Sequence, residues 1–188
     1  MITMNNLVES IQKNLGYATL YKVSPNTQDI DEKEKSFGNN SLAQAGIPAV
    51  LCALFNFVLR PEADNISLLP ENVKWLPLIF GNRLTEIIER IAAYAGTSVE
   101  SAKGELEHMA DEAVRLLKAN IIIKDDISTL REFSMEHKND ALAYLPGSLR
   151  TGEILGNNNI DDLTHKMEGP ISGMTHSLEK HFSGDSKN

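Results

Sequence analysis

Apolar residues recur every three or four positions along most of this chain, which is the spacing that places them on one face of an α-helix. The longest such run falls in residues 97–120. Its apolar positions are Val99, Ala102, Leu106, Met109, Ala113, Leu116 and Leu117. Runs of the strand-forming residues Val, Tyr, Phe and Thr are scarce, which argues against an all-β fold. The pattern predicts an all-α fold, a helical bundle with a Gly-rich linker and a short amphipathic C-terminal helix.

Capping residues and glycines predict where several of these helices begin and end. Asn5 or Asn6 is expected to cap a first helix that ends at Gly16. Asn82 is expected to cap a later helix that ends at Gly96. Both glycines follow the last apolar position of their helix, where a left-handed backbone conformation closes a helix at little cost.

The two helices that follow are predicted from a capping motif and a proline. Thr97 and Glu100 have the spacing of a capping box, in which each side chain bonds the backbone N–H of the other residue. A further helix is expected over residues 126–145, before a proline. Prolines between residues 61 and 77 predict a loop or short turns in which Trp75 packs as an anchor.

Residues 41–59 form a long stretch without a charged side chain. Gln44, Gly46, Pro48 and Asn56 interrupt it, and its densest apolar part is shorter than the roughly 20 residues that a membrane span needs. We therefore expect the central buried helix of the bundle, with Pro48 in its first turn, and no membrane span.

The composition changes in the last quarter of the chain. Several glycines and a run of three asparagines lie within residues 147–159, a composition typical of a flexible stretch. We expect a helical bundle domain over residues 1–145 and a flexible Gly/Asn-rich tail over residues 146–188. Apolar residues at helical spacing in the tail predict a short amphipathic segment that binds a protein partner or another copy of the chain. These candidate partner-binding residues are Ile171, Met174, Leu178 and Phe182.

The chain has 188 residues and a formal net charge of −8. Nonspecific binding to nucleic acid requires a positive surface, and no window is dense in Lys and Arg, so the charge argues against a nucleic-acid partner and against anionic lipid. The single cysteine, Cys52, lies among apolar residues and is expected to be buried and inert. Residues 1–15 lack the pattern of a signal peptide, so we expect a cytoplasmic protein.

Residues 91–106 resemble a helix-turn-helix, with Ala92 in the first helix and Gly96 in the turn. A recognition helix needs side chains that meet phosphates and base edges. This one carries Glu100 and Glu105 against a single Lys103, so a structural helical hairpin is favoured over a DNA-binding module. DNA binding is kept as an alternative function.

A metal site is the other alternative. Glu105 and His108 have the Glu-x-x-His spacing that di-iron bundles use, but no second copy of this motif occurs. His108 is expected to point to solvent. His137 and His176 are further weak candidates, the latter in the tail among other His and Met residues. We expect these to be solvated residues, and no cofactor is indicated.

Three segments resemble the bacterial YidB-like family of unknown function. They are Leu7-Val8-Glu9-Ser10-Ile11-Gln12, then Ile47-Pro48-Ala49-Val50-Leu51-Cys52-Ala53-Leu54, and then Ile91-Ala92-Ala93-Tyr94-Ala95-Gly96-Thr97-Ser98 before a long helix. The resemblance covers about residues 5–120 and implies an all-helical bundle without known catalytic residues. The sequence as a whole favours a non-enzymatic protein that acts through protein–protein contacts or self-association.

Overall fold

The computed structural model describes residues 6–23, 40–60, 73–121 and 127–149. Its α-helices are α1 Leu7–Asn14, α2 Ser41–Val58, α3 Trp75–Phe80, α4 Leu84–Ala95, α5 Val99–Ile121 and α6 Ile127–Leu142. Two 3-10 turns lie at Gly81–Arg83 and Gly147–Leu149. The described ranges contain no strand, which confirms the predicted all-α fold.

Helix α1 begins and ends as its sequence predicts. The side-chain oxygen of Asn6 accepts the backbone N–H of Val8 at 3.2 Å, which makes Asn6 the N-cap. Gly16, just past the helix, has φ of 76°, a conformation that a side chain would strain. The helix buries one apolar face, and its buried apolar residues are Leu7, Val8 and Ile11.

Helix α2 is the centre of the bundle, because each of the other five helices packs against it. In the described ranges it is the one helix long and apolar enough to cross a membrane, and 83% of it is buried inside the fold. Its apolar character is therefore explained by its contacts with its neighbours. The predicted central buried helix is confirmed, and Cys52 is fully buried within it.

The expectation that Pro48 lies in the first turn of α2 is wrong. The helix begins at Ser41, so Pro48 lies in its interior. A proline there removes one helical hydrogen bond, to the carbonyl of Gln44, at a cost of about 3 kcal/mol. The apolar side chains on both sides of Pro48 are buried, and their packing holds the helix continuous through the proline.

The residues around Trp75 form more structure than the prolines predict. Trp75 begins the short helix α3 and is buried, so its predicted packing role is confirmed. Gly81 follows with φ of 57° and opens a 3-10 turn. Asn82 lies inside that turn, and α4 begins at Leu84. The prediction that Asn82 caps this helix is therefore wrong, since the 3-10 turn supplies the start instead.

The turn between α4 and α5 is closed by backbone hydrogen bonds at Gly96. The N–H of Thr97 donates to Ala92 and the N–H of Gly96 donates to Ala93, the pair of bonds that defines a Schellman motif. Because Thr97 completes α4, the cap of α5 is Ser98, whose hydroxyl accepts the N–H of Ser101 at 3.1 Å. The prediction that Thr97 and Glu100 form a capping box is therefore wrong, since the N-cap of α5 lies one residue later, at Ser98.

Helices α2 and α5 cross closely at Gly46. A β-carbon added to Gly46 would lie 2.6 Å from the sulfur of Met109 and 2.9 Å from a methyl carbon of Leu106. Both of these side chains are fully buried. Gly46 thus allows the two helix backbones to approach at a point where any side chain would collide with the core.

Helix α6 packs against α2 and reaches its C-terminal end. The guanidinium of Arg131 donates to the carbonyls of Val58 at 3.3 Å and Arg60 at 2.9 Å, so it binds carbonyls at the end of α2 that lack helical partners. The core continues past residue 145, since Leu149 is buried. Residues 150–188, which include most of the predicted tail, lie outside the described residues.

Candidate functional site

Glu105, a weak candidate for metal binding, is engaged within the fold. Its carboxylate lies on α5 and accepts a hydrogen bond from the Tyr17 hydroxyl. Burial, together with the hydrogen bond and the negative charge of Glu105, raises the pKa of Tyr17. His108, on the same helix, is exposed as the sequence predicts. Glu105 therefore binds Tyr17, in the chain that follows α1, to helix α5. His108 points away from the bundle.

His137 packs on the side of α6. Its ring centroid lies 4.2 Å from that of Phe133, and its Nδ1 lies 3.4 Å from a carboxylate oxygen of Asp140. His176 lies outside the described residues. Within the part of the chain that the structure describes, no three His, Cys, Asp or Glu side chains come together in a group that could hold a metal ion. Glu105, His108 and His137 are thus not assembled into one site.

The candidate helix-turn-helix is a helical hairpin whose second helix is much longer than a recognition helix. Helix α5 runs for 23 residues. Its outward positions near the turn are mixed in charge, with Glu100, Lys103, His108 and Asp111 exposed. Carboxylates at this end of the helix would repel a phosphate backbone.

A buried carboxamide joins three parts of the chain. Gln44, on α2, has no exposed surface. Its Oε1 accepts the N–H of Tyr21 at 3.0 Å, and its Nε2 donates to the carbonyls of Tyr21 at 3.0 Å and Tyr144 at 2.7 Å. The Gln44 side chain therefore bonds to both backbone groups of Tyr21. It also holds the chain that follows α6 through the carbonyl of Tyr144.

The non-helical residues 17–23, here termed the strap, are held mainly by their backbone. Besides the bonds to Gln44, the Ala18 carbonyl accepts from Asn40 at 3.1 Å, and the Val23 N–H donates to the Ala143 carbonyl at 2.7 Å. Leu20 is the buried side chain of the strap, and Tyr21 is 59% exposed. The surface that receives the strap thus bonds mainly to peptide groups, and the side chains of Leu20 and Tyr17 add apolar contacts with the core.

Side-chain hydrogen bonds hold α1 against α5 and against the chain after α6. Asn14 donates to the carboxylate of Glu112 at 2.7 Å, and Arg115 holds the pKa of that carboxyl below its ordinary value. The Tyr144 hydroxyl accepts from Asn6 at 2.7 Å and donates to Glu9 at 3.1 Å. Burial, with the hydrogen bond to Glu9, raises the pKa of Tyr144 to about 12.

We term α1 and the strap together, residues 6–23, the N-terminal arm. The arm is held on α2, α5 and the chain after α6 by hydrogen bonds with the side chains of Gln44, Glu105, Glu112 and Tyr144. Sequence reasoning missed this arrangement. The one available signal was Gln44, a hydrogen-bonding side chain in a stretch of otherwise apolar character.

The described part of the chain is thus an all-α bundle with an N-terminal arm bound across it. No family model, curated protein or solved structure matches the chain. The resemblance to the YidB-like family stays a prediction, and the predicted partner-binding residues of the tail lie outside the described residues. Those residues are Ile171, Met174, Leu178 and Phe182.

Proposed function

We propose that this is a non-catalytic helical protein that binds a protein partner or another copy of itself through its tail. The observation that carries the proposal is the spacing of Ile171, Met174, Leu178 and Phe182. At the helical rotation per residue, these four side chains fall within about 80° of one another around the helix axis. Such a stripe is the contact face of a helix that docks into a groove.

Several acidic side chains of the bundle hold its segments together, which also favours a binding protein. Glu9, Glu105 and Glu112 each accept a hydrogen bond from a side chain on another segment. These carboxylates join α1 and the strap to the rest of the bundle. Their role in the fold is structural, which suits a scaffold that presents a binding segment.

Substitution of the stripe tests this function. Ile171, Met174, Leu178 and Phe182 are changed together to Ser in the full-length chain, and the control carries Ser172→Ala and Lys180→Ala on other faces of the segment. Oligomeric state is measured by light scattering, and proteins bound in the native host are quantified by mass spectrometry. We expect the stripe variant to lose an interaction that the control keeps. Equal binding by both variants, with oligomeric state unchanged, would refute the proposal.

The alternative functions give different signatures in the same material. A metal protein that uses Glu105, His108, His137 or His176 would purify with a stoichiometric metal, which elemental analysis detects. A DNA-binding protein would shift a random duplex in a strongly salt-dependent manner. We expect neither result from the full-length chain.

A further inference from the structure

We propose that the N-terminal arm, residues 6–23, can be exchanged between two copies of this chain, so that each copy binds the arm of the other. The occupant of the arm-binding surface is then the same segment from a second copy. This inference is independent of the tail, and the exchange is expected even when the tail stripe has been replaced.

The arm is a discrete element bound by the rest of the bundle. Helix α1 packs on α2, α5 and α6. The strap bonds to Asn40 and Gln44 at the start of α2 and to Ala143 after α6. Since all of these partners lie C-terminal to the arm, an identical arm from another copy would make the same bonds.

Recognition of the strap depends on peptide groups, which every chain carries. Both backbone groups of Tyr21 bond to Gln44, while its ring is mostly exposed. The arm is positioned further by Asn14 with Glu112 and by Tyr17 with Glu105. These contacts specify the arm itself, so a second copy fits better than a segment of unrelated sequence.

The bundle requires an arm from some source. Without one, Gln44 would lose two of its three hydrogen bonds and the Tyr144 hydroxyl both of its partners to water. The apolar surface that Leu7, Val8 and Ile11 cover would also be exposed to water, so an empty surface favours capture of any matching arm. Exchange of an identical element satisfies these groups and creates a dimer without a new interface.

The connection between the arm and the bundle is long enough for exchange. Sixteen residues, 24–39, join Val23 to Asn40 in the sequence. A chain of that length spans at most about 55 Å, which is more than the diameter of a small domain. An arm can therefore reach the corresponding surface on a neighbouring molecule.

Cross-linking between differently labelled copies tests the exchange. Asn14 and Glu112 lie 2.7 Å apart between side-chain atoms, one on the arm and the other on α5. Full-length Asn14→Cys and Glu112→Cys chains are unfolded, mixed and refolded together. A short bis-maleimide is then added to the folded protein, in which the natural Cys52 is buried. A link between two different chains forms here when an arm has crossed to the other copy.

Two controls define the result. The double variant Asn14→Cys/Glu112→Cys, refolded at low concentration, reports the link within one chain. A mixture of Met135→Cys and Glu112→Cys reports collisions that do not involve the arm, since Met135 is 63% exposed on α6. We expect the arm mixture to give several-fold more linked dimer than this collision control, with a yield that rises with refolding concentration.

The proposal is overturned if the arm mixture gives no more linked dimer than the collision control at any concentration. It is also overturned if the parent chain stays monomeric by light scattering after refolding at the highest concentration. The same mixture prepared with the four tail residues changed to Ser separates the two proposals. Exchange that persists in that variant arises from the arm. If the parent chain shows no exchange, the arm proposal fails, and the proposed tail function is still tested by its own experiment.

Discussion

The carboxamide of Gln44 binds both backbone groups of Tyr21, accepting its N–H and donating to its carbonyl, each at 3.0 Å. The pairing resembles one rung of a β-ladder, although one partner is a side chain on a helix. It lets a helical bundle hold a non-helical segment at a fixed position. The third bond, to the Tyr144 carbonyl, sets the chain after α6 at the same point.

Replacement of Gln44 by Leu is expected to destabilise the fold. The variant keeps most of the side-chain volume but leaves the N–H and carbonyl of Tyr21 and the carbonyl of Tyr144 without this partner. The free energy of unfolding should fall by about 2–4 kcal/mol, because buried unpaired polar groups cost ~1–3 kcal/mol each and water replaces some of the bonds. Urea denaturation followed by circular dichroism measures the change.

The matched control is Asn40→Leu, because Asn40 also bonds to strap carbonyls but lies in a partly exposed position. Water can replace its bonds, so its cost should stay below about 1 kcal/mol. Equal stability of Gln44→Leu and the parent chain would show that the carboxamide does not hold the strap.

A side chain at Gly46 is expected to disrupt the crossing of α2 and α5. Gly46→Val should lower the free energy of unfolding by about 2 kcal/mol through overpacking. Gly104→Val is the control, since a β-carbon there meets nothing within 4 Å, and its effect should remain within about 0.5 kcal/mol. Thermal unfolding of both variants compares the two glycines.

The contact behind this effect can be tested with Met109→Ala. That change alone should cost about 2–5 kcal/mol, because it leaves a cavity in the core. The double variant Gly46→Val/Met109→Ala should lose less stability than the two single variants added together, by at least ~0.5 kcal/mol. The reason is that the methyl groups of the valine occupy the space that Met109 vacates. If the two stability losses simply add, the valine at position 46 does not collide with Met109.

Loss of the Arg131 guanidinium is expected to weaken the end of α2. Arg131→Met retains much of the apolar stem but removes the donors to the carbonyls of Val58 and Arg60. The cost should be about 1–2 kcal/mol, since hydrogen bonds from a charged donor are stronger than neutral ones. Arg90→Met removes an exposed ion pair with Glu86 and should cost less than ~0.5 kcal/mol. Chemical denaturation at low and high salt should show a salt-sensitive cost at Arg90 alone.

Stability is expected to fall in alkaline solution through Tyr144. Its pKa is raised from 10.0 to about 12 in the folded protein, so the folded state retains a proton that the unfolded state releases. The stabilisation is complete below the unfolded value and is lost as pH rises from about 10 through about 12. Urea denaturation across this interval measures the loss of stability, of which Tyr144 accounts for roughly 2–3 kcal/mol in total.

Tyr144→Phe should reduce this alkaline loss while costing about 1 kcal/mol at neutral pH, because the bonds to Asn6 and Glu9 disappear. Tyr21→Phe serves as the control on the exposed ring of the strap. An unchanged alkaline slope in Tyr144→Phe would assign the loss to other groups, with the raised pKa of Tyr17 the first to test by Tyr17→Phe.

The sequence predicts those parts of the fold that local patterns determine. The face of α5, the cap at Asn6 and the burial of residues 41–58 follow from spacing, capping chemistry and the lack of charge. The interior position of Pro48 does not follow, because burial of a whole helix outweighs a local preference. The arm-binding surface depends on Gln44 meeting residues 23 and 100 positions away. No local pattern marks such distant partners.

The charge-free helix α2 also affects how the protein is made. Synthesis proceeds from the N-terminus, so α2 is complete before α3, α4, α5 and α6, which cover most of it, exist. For that interval an 18-residue apolar helix has only α1 as a neighbour among the described elements. Substitutions that delay docking of α5 or α6 should therefore reduce the soluble yield of newly made chains by aggregation, beyond the loss of stability measured on the finished protein.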